Sequence, residues 1–159
     1  GRTGIIVVVN KWDLIADKQS DSVNRFADKL EADIPFLRDV PVVFVSAKTG
    51  QRVSDLYEVI DRVQEQRHRR LTDEEIQSFW RAAITKHKPS RGKGPRPPKI
   101  LDLHQTDVAP PTFELILSGS RADALHPSYL RFLEHQFHEA FGFEGTRVRL
   151  VVRAARAQA

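Results

Sequence analysis

The chain has 159 residues, 40% of them hydrophobic, and a net charge of +4, which allows one domain or two small ones. It contains no cysteine, which excludes disulfides and thiolate chemistry. No apolar run approaches the roughly 18 residues of a spanning helix and no signal peptide is recognisable, so we expect a cytoplasmic protein without membrane contact. There is also no methionine, and the first predicted strand begins close to Gly1, so we expect a piece of a longer protein.

The first half of the chain predicts alternating strands and helices. Short β-branched runs at residues 5–10 and 41–47 indicate two buried strands. Apolar residues at four-residue steps predict a helix over residues 21–38, which Pro35 should end or kink. The same periodicity predicts a second helix over Val53–His68. This order implies two parallel strands joined by a right-handed crossover.

The second half predicts a different, α+β arrangement. Thr72 and Glu75 have the spacing of a capping box, which indicates the start of a helix with an apolar stripe. Residues 86–99 hold six Lys or Arg, four Pro, two Gly and no acid, which predicts a basic loop. The other predicted elements are strands at 100–105, 112–118 and 147–152 and a helix at 124–141. Residues 1–85 have a net charge of −1 and residues 86–159 of +5, so a polyanion would be attracted to the second half.

The first predicted strand ends in Asn10, Lys11, Trp12 and Asp13, which match the guanine-reading pattern N-K-x-D. A carboxylate such as that of Asp13 can accept both Watson–Crick donors of guanine, N1–H and N2–H₂, which adenine lacks. The stem of Lys11 can lie along the base. Asn10 can fix the loop and reach the imidazole side of the base.

A second motif, Ser46-Ala47-Lys48, lies at the end of the next predicted strand. The backbone N–H of Ala47 can donate to guanine O6, Lys48 can cover the other side of the ring, and Ser46 can brace the loop. The alternative is that both motifs are ordinary strand-end loops. No phosphate-cradling G-x-x-x-x-G-K-[ST] occurs in the chain, so we expect negligible binding of GTP or GDP and no hydrolysis by these residues alone.

Four stretches together carry a resemblance to a known family. The segments "VVVNKWDL", "PVVFVSAKTGQRVSDLYEVI", "APPTFELILSG" and "HPSYLRFLEHQFHEAFGFEGTRVRLVVR" resemble the C-terminal part of the Der (EngA) family, bacterial proteins with two tandem GTPase domains followed by a KH-like domain. This sequence departs from the family pattern at three places. Ser118-Gly119-Ser120 replaces the usual Phe-Val-Asn, Arg147 replaces the usual Pro, and "LDLHQTD" replaces a segment that usually contains Tyr. These departures affect the transfer of contacts on those strands.

The resemblance implies both the domain organisation and the function. Residues 1–70 would be the last strands and helices of an α/β P-loop GTPase domain, and residues 71–159 an α+β KH-like domain ordered helix–strand–strand–helix–strand. The implied role is GTP-dependent assembly of the large ribosomal subunit by a monomer. GTP or GDP would be the ligand, with Mg²⁺ bound elsewhere in the intact protein. The implied partners are rRNA, ribosomal proteins and the GTPase domains of the same protein.

Gly142-Phe143-Glu144-Gly145 has the letters of the G-x-x-G phosphate clamp of KH domains. That clamp joins two helices, whereas this stretch joins a predicted helix to a strand, so we interpret it as a helix cap and turn. RNA contact is therefore assigned to basic residues in the loop and near the last strand: Lys86, Lys88, Arg91, Lys93, Arg96, Lys99, Arg147, Arg149, Arg153 and Arg156.

Two alternatives to RNA binding remain for this module. Arg147, Arg149 and Arg153 have the parity of one strand face, which is also typical of an edge strand protected by charge. The KH-like part could instead be mainly a platform for docking against the GTPase domains.

Among the six histidines, His135 and His138 are spaced for metal binding on a helix, but no third ligand is evident, so we expect no metal site. We also expect no catalytic residue within these 159 positions.

Overall fold

A computed structural model describes most of the chain and divides it into two compact units. The described residues are 3–15, 22–90, 98–119 and 122–155. We use "N-terminal unit" for the described residues of Thr3–Arg67 together with Phe143–Thr146, and "C-terminal unit" for those of His68–Gly142 together with 147–155. The second predicted domain therefore contributes one short segment, Phe143–Thr146, to the first unit.

The N-terminal unit is an α/β arrangement around two parallel strands. Its elements are β1 (Val7–Val9), α1 (Ser22–Asp33), β2 (Val42–Phe44) and α2 (Val53–His68), with one-turn 3-10 helices at Trp12–Leu14 and Pro35–Leu37. Val7 is paired with Val42 and Val9 with Phe44. The parallel order and the bounds of α2 confirm the sequence prediction. Both strands are shorter than predicted, in part because Pro41 has no N–H to donate to the ladder.

The predicted helix over residues 21–38 was too long at its C-terminal end. The α-helix ends at Asp33, and Pro35 begins a separate 3-10 turn. The residue before a proline is disfavoured in the helical region, and Ile34 accordingly has φ −134° and ψ 79°. Pro35 therefore ends this helix rather than kinking it.

The C-terminal unit has the predicted α+β order. Its elements are α3 (Asp73–Lys86), β3 (Ile100–Asp107), β4 (Thr112–Leu117), α4 (Pro127–Phe141) and β5 (Arg149–Ala154), with a 3-10 turn at Ala122–Ala124. The sheet order is β3-β4-β5, with β3 and β4 antiparallel and β4 and β5 parallel. The capping box is confirmed, since Thr72 Oγ1 accepts from the Glu75 N–H and the Glu75 carboxylate accepts from the Thr72 N–H.

An aromatic core joins the helices of this unit to the central strand. Phe113 of β4 stacks on Phe137 of α4 with ring centroids 4.2 Å apart, and Phe137 in turn lies 4.1 Å from Phe79 of α3. Tyr129 is fully buried, and burial raises its pKa to about 12. Its hydroxyl therefore stays protonated at neutral pH and donates to the carbonyl of His87 at 3.1 Å.

The segment Phe143–Thr146 is built into the N-terminal unit. Gly142 ends α4 with φ 88°, and its N–H donates to the carbonyl of His138, which confirms the helix-cap interpretation. Phe143 is fully buried. Glu144 pairs with Arg62 at 2.6 Å, and this hydrogen bond raises the pKa of the guanidinium. The carbonyl of Gly145 accepts the Ile5 N–H at 2.8 Å, so this turn extends the edge of the small sheet.

Gly145 and Gly50 form a matched pair for testing how closely this turn is packed. Both have positive φ, at 68° and 77°. A Cβ on Gly145 would lie 2.7 Å from the Ile5 carbonyl oxygen, whereas a Cβ on Gly50 would meet nothing within 4 Å. We expect Gly50→Ala to lower the free energy of unfolding by about 1–2 kcal/mol through strain alone. Gly145→Ala should cost about 2–4 kcal/mol because overpacking is added.

The measurement is urea unfolding followed by fluorescence of Trp12 in a Trp80→Phe background, so that only the N-terminal unit is reported. Equal destabilisation by the two alanine substitutions would contradict the close approach at Gly145.

Candidate functional site

Two loops leave the carboxyl ends of β1 and β2. Because the strands are parallel, both ends lie at the same edge of the sheet, where open α/β sheets bind ligands. The first loop carries Asn10, Lys11 and Asp13, and the second carries Ser46, Ala47 and Lys48. The structure therefore brings all six predicted guanine-site residues to one edge of the N-terminal unit.

Ser46 connects the second loop to the carboxylate of Asp13. Its hydroxyl donates to Asp13 Oδ1 at 2.5 Å. The serine is fully buried, and the same hydroxyl accepts from the Thr49 N–H at 3.3 Å. Its backbone N–H donates to the carbonyl of Gln51 at 3.0 Å. Ser46 thus has the bracing geometry, and it orients a half-buried carboxylate.

Asn10 connects the two loops a second time. Its Oδ1 accepts from the Lys11 N–H at 2.7 Å and from the Ala47 N–H at 3.0 Å. The Ala47 N–H is the group expected to donate to guanine O6, and here its partner is Asn10. Lys11 has φ 63°, a left-handed conformation that is uncommon for a residue other than glycine. The side chains of Lys11 and Lys48 are exposed, as required for contact with a base.

Trp12 supports the site, a role that sequence reasoning did not assign to it. It occupies the variable position of the N-K-x-D motif but is only 3% exposed. Its ring packs against Phe44 at 4.7 Å and against Phe26 at 5.9 Å, and its backbone N–H donates to the carbonyl of Val45 at 3.0 Å. The sequence did contain a signal for this role, because an aromatic residue stands directly between two predicted site residues. Trp12 attaches the loop to the core so that Asp13 has a fixed position.

The candidate RNA-binding residues are spread over the C-terminal unit. Arg91, Lys93, Arg96 and Arg156 lie outside the described residues, whereas the other six are described and exposed: Lys86, Lys88, Lys99, Arg147, Arg149 and Arg153. Two of these six are already paired. Lys86 lies 3.4 Å from Glu139, and Arg153 forms an ion pair with Glu114.

The expected arginine face is limited to Arg149 and Arg153, because Arg147 precedes β5. These two residues are opposite Thr112 and Ile116 of β4, four positions apart, which is about 13 Å along a strand.

Carboxylates accompany these arginines on the sheet. His104 of β3 lies 2.9 Å from Asp102 and 3.4 Å from Glu114, and Glu114 also pairs with Arg153. This line of ionisable side chains crosses all three strands. The sheet is therefore not a uniformly basic surface, and much of the charge of Arg153 is neutralised.

In the part of the chain that the structure describes, no group of three or more His, Asp or Glu side chains has a geometry that could hold a metal ion. No helix in the described ranges is long and apolar enough to cross a membrane.

Comparison with known proteins identifies the family. Residues 70–153 match the family described as the KH-domain-like domain of EngA bacterial GTPase enzymes, and residues 1–89 match the GTP-binding domain of elongation factor Tu. The chain belongs to the Der (EngA) family. The resemblance drawn from the sequence is thereby confirmed, as is the fold class, part of a GTPase domain plus a KH-like domain.

Curated relatives named GTPase Der extend the match over nearly the whole chain. The identity is 39% over 150 residues with the protein of Desulfitobacterium hafniense, and 41% over 150 residues with that of Streptococcus thermophilus. It is 38% over 144 residues with the protein of Fusobacterium nucleatum. Each comparison covers 91–94% of this chain but only 32–34% of the relative. The chain therefore spans about a third of the length of these Der proteins.

Removing the hydroxyl of Ser46 should loosen the site from within. Ser46→Ala deletes the donor to Asp13 and the acceptor for Thr49 in a fully buried position, so the free energy of unfolding should fall by about 1–2 kcal/mol. Ser54 is the matched control, because its hydroxyl is exposed and bonds only the adjacent Asp55. Ser54→Ala should change the free energy by less than about 0.5 kcal/mol. Equal effects in urea unfolding would argue against Ser46 as a brace.

Proposed function

We propose that the intact protein is a GTPase that acts in assembly of the large ribosomal subunit, and that this chain supplies its guanine-recognition loops and its KH-like domain. The observation that carries the first half is the pair of hydrogen bonds that join the two loops, Ser46 to Asp13 and Ala47 to Asn10. Membership of a family of GTP-binding proteins supports it. Because ribosomal subunits are assembled in the bacterial cytoplasm, we place the protein there, acting as a monomer.

The arrangement of Asp13 fits guanine and disfavours adenine. A carboxylate held in place can accept N1–H and N2–H₂ together in a charge-assisted, bidentate contact. Adenine presents an acceptor at N1 and no 2-amino group, so a carboxylate shielded from water would face it without a donor. Leaving such an acceptor unpaired costs about 1–3 kcal/mol or more, which gives a large preference for guanine.

The phosphates and Mg²⁺ are assigned to parts of the protein beyond these 159 residues. No phosphate-cradling motif occurs in the sequence, and the described residues offer no group of ligands for a metal ion. We therefore assign no step of hydrolysis to this chain. Its own contribution is to hold the base and to exclude other bases.

Exchanging the acceptor for a donor at position 13 should change base preference. In the intact protein, with the upstream residues restored, Asp13→Asn places an amide opposite C2 of the base, where xanthine has a carbonyl in place of the guanine amine. Affinity for GDP should fall at least 100-fold, and affinity for xanthosine diphosphate should rise. Titration of the purified protein with both labelled nucleotides measures the change.

The controls separate loss of recognition from loss of folding. Asp55→Asn removes a carboxylate from the exposed first turn of α2 and should leave both affinities within twofold. The 159-residue chain by itself should show no turnover of GTP. Undiminished guanine preference in Asp13→Asn or in Asp13→Ala would end the assignment of Asp13.

We further propose that the C-terminal unit contacts rRNA through its basic loop rather than through the arginines of β5. Both ends of the loop are tied to the chain between β4 and α4. The carbonyl of Ser90 accepts from the His126 N–H at 3.2 Å, and that of Lys99 accepts from the Ser118 N–H at 2.8 Å. The backbone from which the exposed Lys99 side chain extends is therefore held in place. The pairing of Arg153 with Glu114 makes that residue a weaker candidate.

Salt dependence should distinguish a phosphate contact from an incidental charge. We expect the chain to bind single-stranded rRNA segments with an affinity that falls steeply with salt. Lys99→Gln should weaken binding about threefold to tenfold at low salt and reduce the slope of log K against log salt by roughly 0.7–1. Lys29→Gln, which removes an equally exposed charge from α1, should change neither quantity.

Fluorescence anisotropy across a salt series measures both quantities. Absence of binding even at low salt would favour the alternative in which the KH-like domain is mainly a docking platform for the GTPase domains.

A further inference from the structure

A groove of about 640 Å³ runs between α3 and α4 in the C-terminal unit. Its lining comes from both helices, and no proposed guanine-site residue contributes to it. Its volume lies within the range typical of sites that bind compact ligands or anchoring side chains. The groove is therefore a second candidate site, separate from the nucleotide loops.

The floor of the groove is apolar and its walls are low. The rings of Phe79 and Phe141 form the floor with centroids 5.6 Å apart. Ser78, Ala82 and Ala140 flank them with small, exposed side chains. Small residues at these positions keep the walls low, so the accessible part of the floor is the half-buried ring of Phe141, and the Arg69 guanidinium lies 5.7 Å from its centroid.

The rim of the groove is acidic. Glu74 and Glu75 project from the first turn of α3 and Glu139 from the last turns of α4. Lys86 is the one basic residue in the lining, and it lies 3.4 Å from Glu139. Although desolvation acts against it, the hydrogen bond from Gln136 and the charge of Lys86 lower the pKa of Glu139. The lining therefore holds three carboxylates and one ammonium group, and Arg69 lies 4.0 Å from Glu75.

The charge of the rim selects the class of partner. A phosphate backbone would be repelled by three carboxylates around an apolar floor, whereas guanidinium and ammonium groups would be attracted. Glu75 also has a structural role, because its carboxylate accepts the Thr72 N–H in the capping box. Glu75 also lies 4.0 Å from Arg69, and Glu139 is paired with Lys86. Glu74 is consequently the carboxylate best placed to bind a cation from outside, and Glu139 adds a second acceptor at the same rim.

We propose that the α3–α4 groove docks a short cationic segment of a protein, one that packs an apolar side chain against the floor formed by Phe79 and Phe141 and pairs its Arg or Lys residues with Glu74 and Glu139. The proposal goes beyond the assigned function, since it depends neither on guanine recognition nor on RNA contact. It gives the KH-like domain two surfaces of opposite charge for two classes of partner. A contact of this size with exposed ion pairs should have a dissociation constant on the order of 10–100 µM.

The test uses the 159-residue chain and a defined probe, fluorescein-labelled acetyl-Arg-Lys-Phe-Leu-Arg-Lys-amide. Matched peptides replace the four basic residues by Glu, or Phe-Leu by Gly-Ser. Fluorescence anisotropy measures the affinities, and circular dichroism and Trp80 fluorescence verify that each variant is folded. We expect saturable binding of the basic peptide, at least tenfold weaker binding of the Gly-Ser peptide and no binding of the Glu peptide.

Two variants on exposed helix positions test the groove itself. Ala140→Trp should fill it and weaken the basic peptide about tenfold. The double variant Glu74→Gln/Glu139→Gln should weaken it about fivefold and flatten its salt dependence. The matched control Glu58→Gln/Glu65→Gln removes two exposed charges from α2 and should stay within twofold. The double variant keeps the proposal testable if Ala140→Trp does not fold.

Four results would overturn the proposal. The first is absence of saturable binding up to 1 mM peptide, and the second is equal binding to wild type and both groove variants. The third is displacement of the peptide by a single-stranded RNA whose own binding is weakened by Ala140→Trp, which would make the groove a nucleic-acid site. The fourth is self-association of the chain that Ala140→Trp abolishes while the peptide fails to bind, since a second copy would then be the occupant.

Discussion

The hydrogen-bonded connection between the two strand-end loops is the constraint on which the proposed guanine site depends. Parallel pairing of β1 with β2 brings the two loops to one edge, but pairing alone leaves each loop free to move. Ser46 bonded to Asp13, and Ala47 bonded to Asn10, remove that freedom. A base-reading carboxylate must be fixed before the base arrives, because a carboxylate that can turn toward water loses little by facing the wrong base.

The rest of the N-terminal unit maintains this geometry. Trp12 packs between Phe44 and Phe26 and so connects the first loop to the core, while Val59 and Val63 of α2 pack beneath β2. Three-residue strands offer few ladder bonds, and the turn Phe143–Thr146 adds further ones at the strand edge. A stretch whose letters suggest a phosphate clamp therefore has a structural role here, with Phe143 fully buried and Glu144 paired with Arg62.

The charged side chains of the C-terminal unit form separate basic and acidic regions, which its net charge does not show. The basic loop begins and ends beside the β4–α4 connection, the sheet carries a line of ionisable side chains from Asp102 to Arg153, and the rim of the α3–α4 groove is acidic. The charge of each region is set by side chains that lie close together in space but belong to different elements. The rRNA contact and the peptide contact that we propose would therefore use different parts of this domain.

Signals that act within a few residues were readable from the sequence by itself. These signals are periodicity, local hydrogen bonding and the chemistry of short segments. They were enough to predict the N-K-x-D and S-A-K motifs, the capping box of Thr72 with Glu75, the bounds of α2 and the order of the α+β elements. Tertiary structure alone decided the bonding of Asn10 to Ala47, the burial of Trp12, the neutralisation of Arg153 by Glu114, the position of Phe143–Thr146 in the other unit, and the acidic groove. These features depend on strand register and helix packing between residues distant in the chain. No local pattern encodes which partner a side chain will meet there, because that is fixed only when the elements pack.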